Sequence, residues 1–159
     1  MVRLQPMTQE EYEDWRSLSI QDYARENVAA GRWSEGEAKS KAEREFASLL
    51  PNGRATEGHY VCCIVDENAS EKVGMIWYAL RQESGSRFVF VYDLRIHEEH
   101  RRRGYGTAAL KRLEEETRGL GLDVISLHVF GHNKGARDLY RRAGYEEKSV
   151  LMSKKLSTP

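Results

Sequence analysis

The stretch that decides the fold runs from residue 96 to residue 108 and reads Ile96-His-Glu-Glu-His-Arg-Arg-Arg-Gly-Tyr-Gly-Thr-Ala108. It follows residues 88–96, which are rich in β-branched and aromatic side chains, and it precedes leucines in helical spacing. A turn from strand to helix is therefore predicted here. The amides that open a helix have no internal partners, and Gly104 and Gly106 allow the backbone to approach a bulky anion. The turn is thus a candidate site for an anion such as a pyrophosphate.

The charges around this turn support an anion site. Between residues 101 and 112 the chain has five basic residues and no acidic one, whereas the first turn of a helix normally favours Asp or Glu. This inversion indicates that an external anion balances the arginines. The glycine pattern taken alone also fits an ordinary turn beside a solvated basic face, so the interpretation depends on the rest of the chain.

Other phosphate-binding loops fit less well. The chain has no GxxxxGK(S/T) segment, so it lacks the lysine and the hydroxyl that a nucleoside triphosphatase needs. Gly104, Gly106 and Ala109 match the loose dinucleotide pattern GxGxxG/A. However, six residues separate Ile96 from Arg103, whereas the turn of a Rossmann fold is tight. The next strand also lacks the acidic residue at its end that would bind the ribose. A Rossmann turn is therefore disfavoured.

Two helices are predicted in the first third of the chain. Thr8 and Glu11 have the spacing of a capping box, and so do Ser34 and Glu37. Further helices are predicted around residues 110–120 and 134–143, and strands at residues 2–4, 59–65, 73–80, 88–96, 124–130 and 149–155. No low-complexity linker interrupts this mixed order of helices and strands. We therefore expect one domain, residues 1–159.

Composition sets limits on location and partners. The 25 basic residues balance the 25 acidic ones, so no whole-molecule field attracts nucleic acid or an anionic membrane. No apolar run approaches the about 20 residues that cross a bilayer, and the N-terminus has no signal core, so a cytoplasmic protein is expected. Cys62 and Cys63 are adjacent and point to opposite faces of a strand, which predicts two reduced, structural thiols.

Two motifs together resemble the GNAT superfamily of acetyltransferases. Arg101, Gly104 and Gly106 match its signature Q/R-x-x-G-x-G/A. Residues 133–145 are similar to the family pattern N-x-x-A-x-x-L-Y-x-x-x-G-(F/Y) at the expected distance. The resemblance covers about residues 73–156, and the first half matches only by its order of strand and helices. A bacterial subgroup of uncharacterised acetyltransferases is similar in residues 92–96, 126–130 and 152–156.

The resemblance implies an α/β (α+β) fold. Its central sheet would be mixed but mostly antiparallel, with about six or seven strands flanked by about four helices. The sheet would be splayed between its fourth and fifth strands. The co-substrate implied is acetyl-coenzyme A (acetyl-CoA), whose pantetheine arm would pair with the backbone of Leu94 and Ile96 like an added strand.

The same resemblance implies the residues that bind acetyl-CoA. The amides from Arg102 to Thr107 would hold the pyrophosphate, and Asn133 would contact the pantetheine or its thioester end. The implied cofactor-binding residues are Leu94, Ile96, Arg101, Arg102, Arg103, Gly104, Tyr105, Gly106, Thr107, Asn133, Ala136 and Tyr140.

Two residues are candidates for catalysis. By the resemblance, Tyr140 would protonate the departing thiolate of coenzyme A, although an amphipathic helix can also place such an aromatic ring in a core. Asp93 lies among the apolar residues of its strand and is the first choice for the base that deprotonates the amine. The alternative for Asp93 is a structural hydrogen-bond acceptor. His128 fits a packed or surface side chain better than a base.

The expected reaction is direct attack of an amine on acetyl-CoA in a ternary complex. The histidines form no HExxH or comparable ligand set, so no metal is expected, and no Ser or Cys has the context of a nucleophile. A non-catalytic CoA-binding regulatory module is the alternative. A nucleic-acid binder using the arginines is disfavoured by the neutral net charge. The sequence leaves the acceptor amine open, and a homodimer is only an expectation.

Overall fold

The sheet is mostly an antiparallel meander. The computed structural model describes residues 1–158, and its strands are β1 (Val2–Pro6), β2 (His59–Asp66), β3 (Glu71–Glu83), β4 (Ser86–Ile96) and β5 (Ile125–Leu127). The strands lie in the order of the chain. β1 to β4 are antiparallel neighbours, whereas β5 pairs parallel to β4 and forms one edge of the sheet.

The described residues also form four α-helices, α1 (Gln9–Ala29), α2 (Glu35–Leu49), α3 (Tyr105–Gly119) and α4 (Lys134–Arg142). Both predicted capping boxes are confirmed. At α1 the Glu11 amide donates to Thr8 Oγ1 at 3.2 Å, and the Thr8 amide donates to Glu11 Oε2 at 2.9 Å. At α2 the Ser34 amide donates to Glu37 Oε1 at 3.2 Å. These bonds satisfy amides that each helix leaves free, so both starts are determined locally.

The helices cover opposite faces of the sheet. α1 and α2 pack on the face that carries Cys63 and Trp77, and α3 packs on the face that carries Cys62 and Ile76. The two cysteines therefore point to opposite faces, as predicted, and both are free thiols. Burial raises the pKa of Cys62 to about 12 and that of Cys63 to about 11, so both are protonated at neutral pH.

A β-bulge interrupts the pairing of β3 with β4. Trp77 is opposite Asp93, but Tyr78 is opposite Val91, so Tyr92 is the extra residue. The Tyr92 ring stacks on Trp77 with ring centroids 4.5 Å apart. The bulge therefore places Tyr92 and Asp93 on the face covered by α1, although strict alternation would send one of them to the other face.

The predicted number of strands is wrong. The described residues contain five strands rather than six or seven, and residues 149–155 form no strand. The pattern of that segment is strand-like, but a strand exists only when its amides and carbonyls meet a partner, and this segment runs exposed beyond α4. β5 is also shorter than predicted, because it pairs with β4 only opposite residues 89–91.

Burial stops abruptly along the chain. Both core clusters are built from residues up to Leu122, and none of the described residues after it is buried. α4 has no buried residue, and all three residues of β5 are only partly buried. The last quarter of the chain therefore lies on a core that it does not help to form.

Candidate active site

The turn before α3 has the conformation of an anion-binding loop. Arg102 has a φ of 61° and Gly104 has a φ of 84°, both in the left-handed region. Gly104 is the residue that caps α3, and the amides that follow it open the helix without internal partners. Successive backbone amides in such a turn form a concave nest that suits a phosphate. Glycine is needed at position 104 for its positive φ and not for lack of space, because a Cβ at this position would have no atom within 4 Å.

Gly106 has a different role. A Cβ on Gly106 would lie 3.0 Å from Leu139 Cδ2. The missing side chain therefore lets α3 approach α4 closely, so the loop and the residues of α4 occupy one site. The sequence suggested close approach to a ligand for both glycines, whereas the structure shows a second reason for Gly106.

The arginines of the loop are available to an external anion. Arg101, Arg102 and Arg103 are exposed, and no described acidic side chain forms an ion pair with them. The Arg101 Nε donates to the Ile96 carbonyl at 3.1 Å, which ties the loop to the end of β4. Tyr105 uses its side chain elsewhere, because its hydroxyl donates to Asp66 Oδ2 at 2.5 Å. Tyr105 can therefore offer a ligand its amide but not its hydroxyl.

The predicted splay in the sheet is present between β4 and β5. The two strands pair only where residues 89–91 lie opposite residues 125–127. Leu94 and Ile96 pair with β3 on one side and have no β5 partner on the other. The backbone there can accept an extended ligand as an added strand. The Ile96 carbonyl is the exception, because Arg101 already occupies it.

Asn133 begins α4 at the other wall of the splay. Its Oδ1 accepts a hydrogen bond from the Ala136 amide at 3.2 Å, which caps the helix. The cap fixes the orientation of the Asn133 side chain and leaves its Nδ2 as a donor. Ala136 is a capping partner in this structure, so its own amide is occupied.

Tyr140 lies near enough to Asp93 for the charge of that carboxylate to affect its pKa, although 46 residues separate them in the chain. Burial raises the pKa of the Tyr140 hydroxyl, and the nearby Asp93 raises it further. Burial also raises the pKa of Asp93, whereas the Arg95 guanidinium, with Nη2 3.8 Å from Asp93 Oδ2, opposes that shift. Asp93 keeps 23% of its side-chain exposure, so solvent or a substrate can reach it.

Residues of α1 complete the surroundings of Asp93. Asp22 forms an ion pair with Arg95, and burial together with the charge of Asp93 raises the pKa of Glu26. The indole N–H of Trp15 is buried without a hydrogen bond of normal geometry, and it lies close enough to Asp93 to lower its pKa. Sequence reasoning missed Arg95, although its place two residues after Asp93 puts both on one strand face.

Aromatic side chains form the wall beside Asp93. The Trp77 Nε1 donates to His59 Nδ1 at 3.0 Å, and His59 stacks on Tyr92 with centroids 5.6 Å apart. Burial lowers the pKa of His59, so this histidine is neutral at neutral pH. His128 is exposed, which agrees with the surface role preferred for it.

No group of three or more His, Cys, Asp or Glu side chains within residues 1–158 is arranged to hold a metal ion. The helices of residues 1–158 include none that is long and apolar enough to cross a membrane.

Known proteins match this chain over most of its length. The model of the acetyltransferase (GNAT) family matches residues 8–145. The uncharacterized N-acetyltransferases YdgE and YycN of Bacillus subtilis are 35% and 36% identical and are aligned over 96% and 98% of this chain, and over 97% and 99% of their own lengths. The crystal structure of YycN covers 99% of this chain and all of its own, with a TM-score of 0.93.

A more distant structure shares only the fold. A predicted acetyltransferase of Clostridium acetobutylicum, solved with acetyl-CoA, is 16% identical and has a TM-score of 0.62 over 98% of this chain and 96% of its own. The match of the family model over most of the chain and the two relatives of nearly equal length decide the assignment. The chain belongs to the acetyltransferase (GNAT) family and is an N-acetyltransferase that takes its acetyl group from acetyl-CoA.

Proposed function

We propose that this chain acetylates an amine by direct attack in a ternary complex, with Asp93 as the base and Tyr140 as the acid. The observation that best supports the proposal is that Asp93, on the part of β4 that β5 leaves unpaired, is near enough to Tyr140 for its charge to raise the pKa of that hydroxyl. The phosphate-binding turn lies at the end of the same strand. The turn proposed to bind the pyrophosphate and the two proposed catalytic residues therefore lie beside the same gap in the sheet.

Acetyl-CoA supplies an activated thioester, and residues of this chain would hold it. The amides of residues 102–107 suit the pyrophosphate, with Arg101 to Arg103 balancing its charge. The free backbone of β4 at Leu94 suits the pantetheine arm, and Asn133 Nδ2 is a donor at the opposite wall. The other implied binding residues would contribute to acetyl-CoA binding through their backbone or through packing; they are Tyr105, Gly106, Thr107 and Ala136.

The proton steps follow from the two raised pKa values. An amine is mostly protonated at neutral pH, so a base must remove a proton before attack. The raised pKa makes Asp93 a better base than an ordinary carboxylate. As the C–N bond forms and the C–S bond breaks, the hydroxyl of Tyr140, which its raised pKa keeps protonated, donates a proton to the leaving sulfur. The nitrogen gives up its second proton as it becomes an amide, and that proton restores the Tyr140 hydroxyl, while Asp93 releases the first proton to solvent.

The charges on the α1 side favour a cationic acceptor. Asp22 and Glu26 lie near Asp93. The counter-charges in direct contact with these three carboxylates are Arg95, which pairs with Asp22 and Asp93, and Arg25, which pairs with Asp22, so the carboxylates outnumber the guanidinium groups. A protonated amine would relieve the repulsion from Asp93 that adds to burial in raising the pKa of Glu26. We therefore propose that the acceptor enters from the α1 side and carries a positive charge there.

Calorimetric titration with acetyl-CoA tests the binding half of the proposal. We expect a micromolar Kd for the wild type and no detectable binding for Gly104→Glu, whose carboxylate would repel the pyrophosphate. Gly85→Glu is the matched control, because Gly85 has a φ of 80° and equally open surroundings but lies in the turn between β3 and β4. Equal loss of binding in both variants would point to backbone strain rather than to the loop.

Release of coenzyme A thiol in the presence of a panel of amines tests the catalytic half. Transfer to a cationic amine is expected. Tight binding of acetyl-CoA without transfer to any amine and without hydrolysis would favour the non-catalytic regulatory module. The proposal also predicts that the protein is cytoplasmic, that it needs no metal, and that it binds neither nucleic acid nor membranes. Passage of the protein over a heparin column without retention, whatever the salt concentration, checks the prediction about nucleic acid.

A further inference from the structure

The start of α3 is held differently from the starts of α1 and α4. Thr8 caps α1 and Asn133 caps α4, each by accepting a hydrogen bond from an amide of its own helix. Gly104 has no side chain with which to do this, and the first turn of α3 contains no acidic residue. The first amides of α3 therefore stay free for an anion, and contacts from elsewhere in the fold must fix the position of the helix start.

The turn that joins β2 to β3 provides such a contact. We call residues 66–71 the hairpin turn. The Tyr105 hydroxyl donates to Asp66 Oδ2 at 2.5 Å, which joins the first residue of α3 to the last residue of β2. Asp66 Oδ1 accepts hydrogen bonds from the amides of Asn68 at 2.8 Å and Ala69 at 3.3 Å, so the carboxylate is fixed by its own turn. These bonds lower the pKa of Asp66, and the bond to Asp66 raises the pKa of Tyr105, so the hydroxyl remains the donor at neutral pH.

His100 makes a second contact with the hairpin turn. Its side chain is buried, and its Nε2 lies 3.4 Å from Glu71 Oε1. The His100 ring also meets the Tyr105 ring edge to face, with centroids 6.1 Å apart. Just before it, the His97 amide donates to the Val73 carbonyl of β3 at 2.9 Å. These contacts lie on both sides of the arginines and the glycine that form the turn before α3.

The contacts leave the three arginines before α3 available to an anion. No ion pair within residues 1–158 involves Arg101, Arg102 or Arg103. The hairpin turn is acidic, yet it contacts a hydroxyl and an imidazole rather than a guanidinium. Arg102 has a φ of 61°, which a residue with a side chain keeps only where its surroundings hold it. The hairpin turn can therefore fix the backbone here without neutralising the charges that a pyrophosphate needs.

We propose that Asp66 is a positioning residue for acetyl-CoA, because it holds the Tyr105 hydroxyl and thereby the backbone amides at the start of α3. The contact of His100 with Glu71 is a second support of the same backbone. This inference rests on the pyrophosphate site of the proposed function. Positioning and charge predict opposite effects of Asp66. Its negative charge near an anion site would by itself weaken binding, so removal of the charge alone would strengthen it. Removal of a positioning contact weakens binding instead, because the amides lose their fixed arrangement.

Calorimetric titration of the full chain with acetyl-CoA tests the proposal. Tyr105→Phe removes only the hydroxyl, and Asp66→Ala removes its acceptor. We expect each variant to raise the Kd about 5-fold, the effect of losing one hydrogen bond. The double variant should bind no more weakly than the single ones, because both changes remove the same contact. Glu67→Ala is the matched control. It removes an exposed carboxylate from the same hairpin turn and should not weaken binding.

Kinetics with an amine substrate separate positioning from a general loss of structure. Asp66→Ala should raise the KM for acetyl-CoA about 5-fold and leave kcat unchanged, because Asp66 does not meet the reacting atoms. Unchanged or tighter binding in Tyr105→Phe and Asp66→Ala, or losses that add in the double variant, overturn the proposal. Tyr105→Phe decides alone if Asp66→Ala does not fold.

Gly104→Glu, titrated alongside, distinguishes this failure from that of the proposed function. A wild type that binds no acetyl-CoA, or Gly104→Glu that binds it normally, refutes the pyrophosphate site itself. Binding that is lost in Gly104→Glu but unchanged in Tyr105→Phe refutes only the role of Asp66.

Discussion

The part of the chain up to Leu122 and the part after it differ in what they contribute. The first part forms both core clusters and holds Asp93, whereas the second part has no buried residue among those described yet carries Asn133 and Tyr140. The first part thus provides the core and the proposed base, whereas the second part provides the proposed acid on elements that have no buried residue. The proposed mechanism therefore requires that the second part be held firmly against the first.

The largest effect is expected from Asp93→Asn, in the first part. We expect kcat/KM to fall on the order of 1,000-fold, because the amide cannot take a proton. In the wild type the rate should rise with pH as Asp93 loses its proton, with a midpoint above the about 3.9 of an ordinary Asp because burial raises its pKa. The variant should lack this limb. Asp14→Asn, an exposed change on α1, is the control, and an unchanged pH profile in Asp93→Asn would remove Asp93 as the base.

Core substitutions test the difference in stability directly. Leu113→Ala empties a fully buried position on α3 and should lower the free energy of unfolding by about 2–5 kcal/mol. Leu156→Ala, at a side chain 77% exposed, should change it by less than about 0.5 kcal/mol when measured by urea denaturation of single copies at low concentration. Comparable losses in the two variants would show that the second part does have a core of its own.

Tyr140→Phe tests whether the second part contributes chemistry. We expect kcat to fall about 100-fold while calorimetry gives an unchanged affinity for acetyl-CoA, because only the proton donor is lost. Tyr145→Phe is the matched control, since its ring lies 5.7 Å from that of Tyr140 and its buried hydroxyl has no partner. Equal rates for Tyr140→Phe and the wild type would leave Tyr140 with a packing role only.

The smallest effect concerns the contact that joins the two parts. A Cβ in Gly106→Ala would lie 3.0 Å from Leu139, so α4 should shift, and kcat/KM should fall a few-fold, equivalent to about 1 kcal/mol. Stability is a poor readout, because alanine also favours the helix by about 1 kcal/mol. Adding Leu139→Ala should restore the rate. A double variant that is no better than the single one would contradict the steric explanation.

Much of the site could be predicted because its signals are local. The capping boxes and the turn from β4 to α3 depend on residues close in the chain. The family resemblance indicated Tyr140, and the apolar neighbours of Asp93 in its strand indicated that carboxylate, whose charge raises the pKa of Tyr140 in the structure. That Asp93 is the base and Tyr140 the acid stays a prediction until the variants are measured.

Contacts between distant elements could not be predicted in the same way. The ion pair of Arg95 with Asp22 joins β4 to α1 across 73 positions, and nothing in the local pattern of either residue indicates it. The bulge at Tyr92 depends on the register of β3 against β4. Nothing in the local pattern of Glu26 indicates that burial raises its pKa.

By itself, the sequence determined the order of helices and strands as far as α4, the helix starts, the glycine turn before α3 and the family, because each depends on short-range spacing or on a motif. Only the tertiary structure decided that β4 bulges at Tyr92, that Gly106 serves the contact with Leu139, and that residues 149–155 form no strand. The physical reason is that strand pairing and burial each need two segments in contact, whereas a sequence pattern describes only one of the two segments.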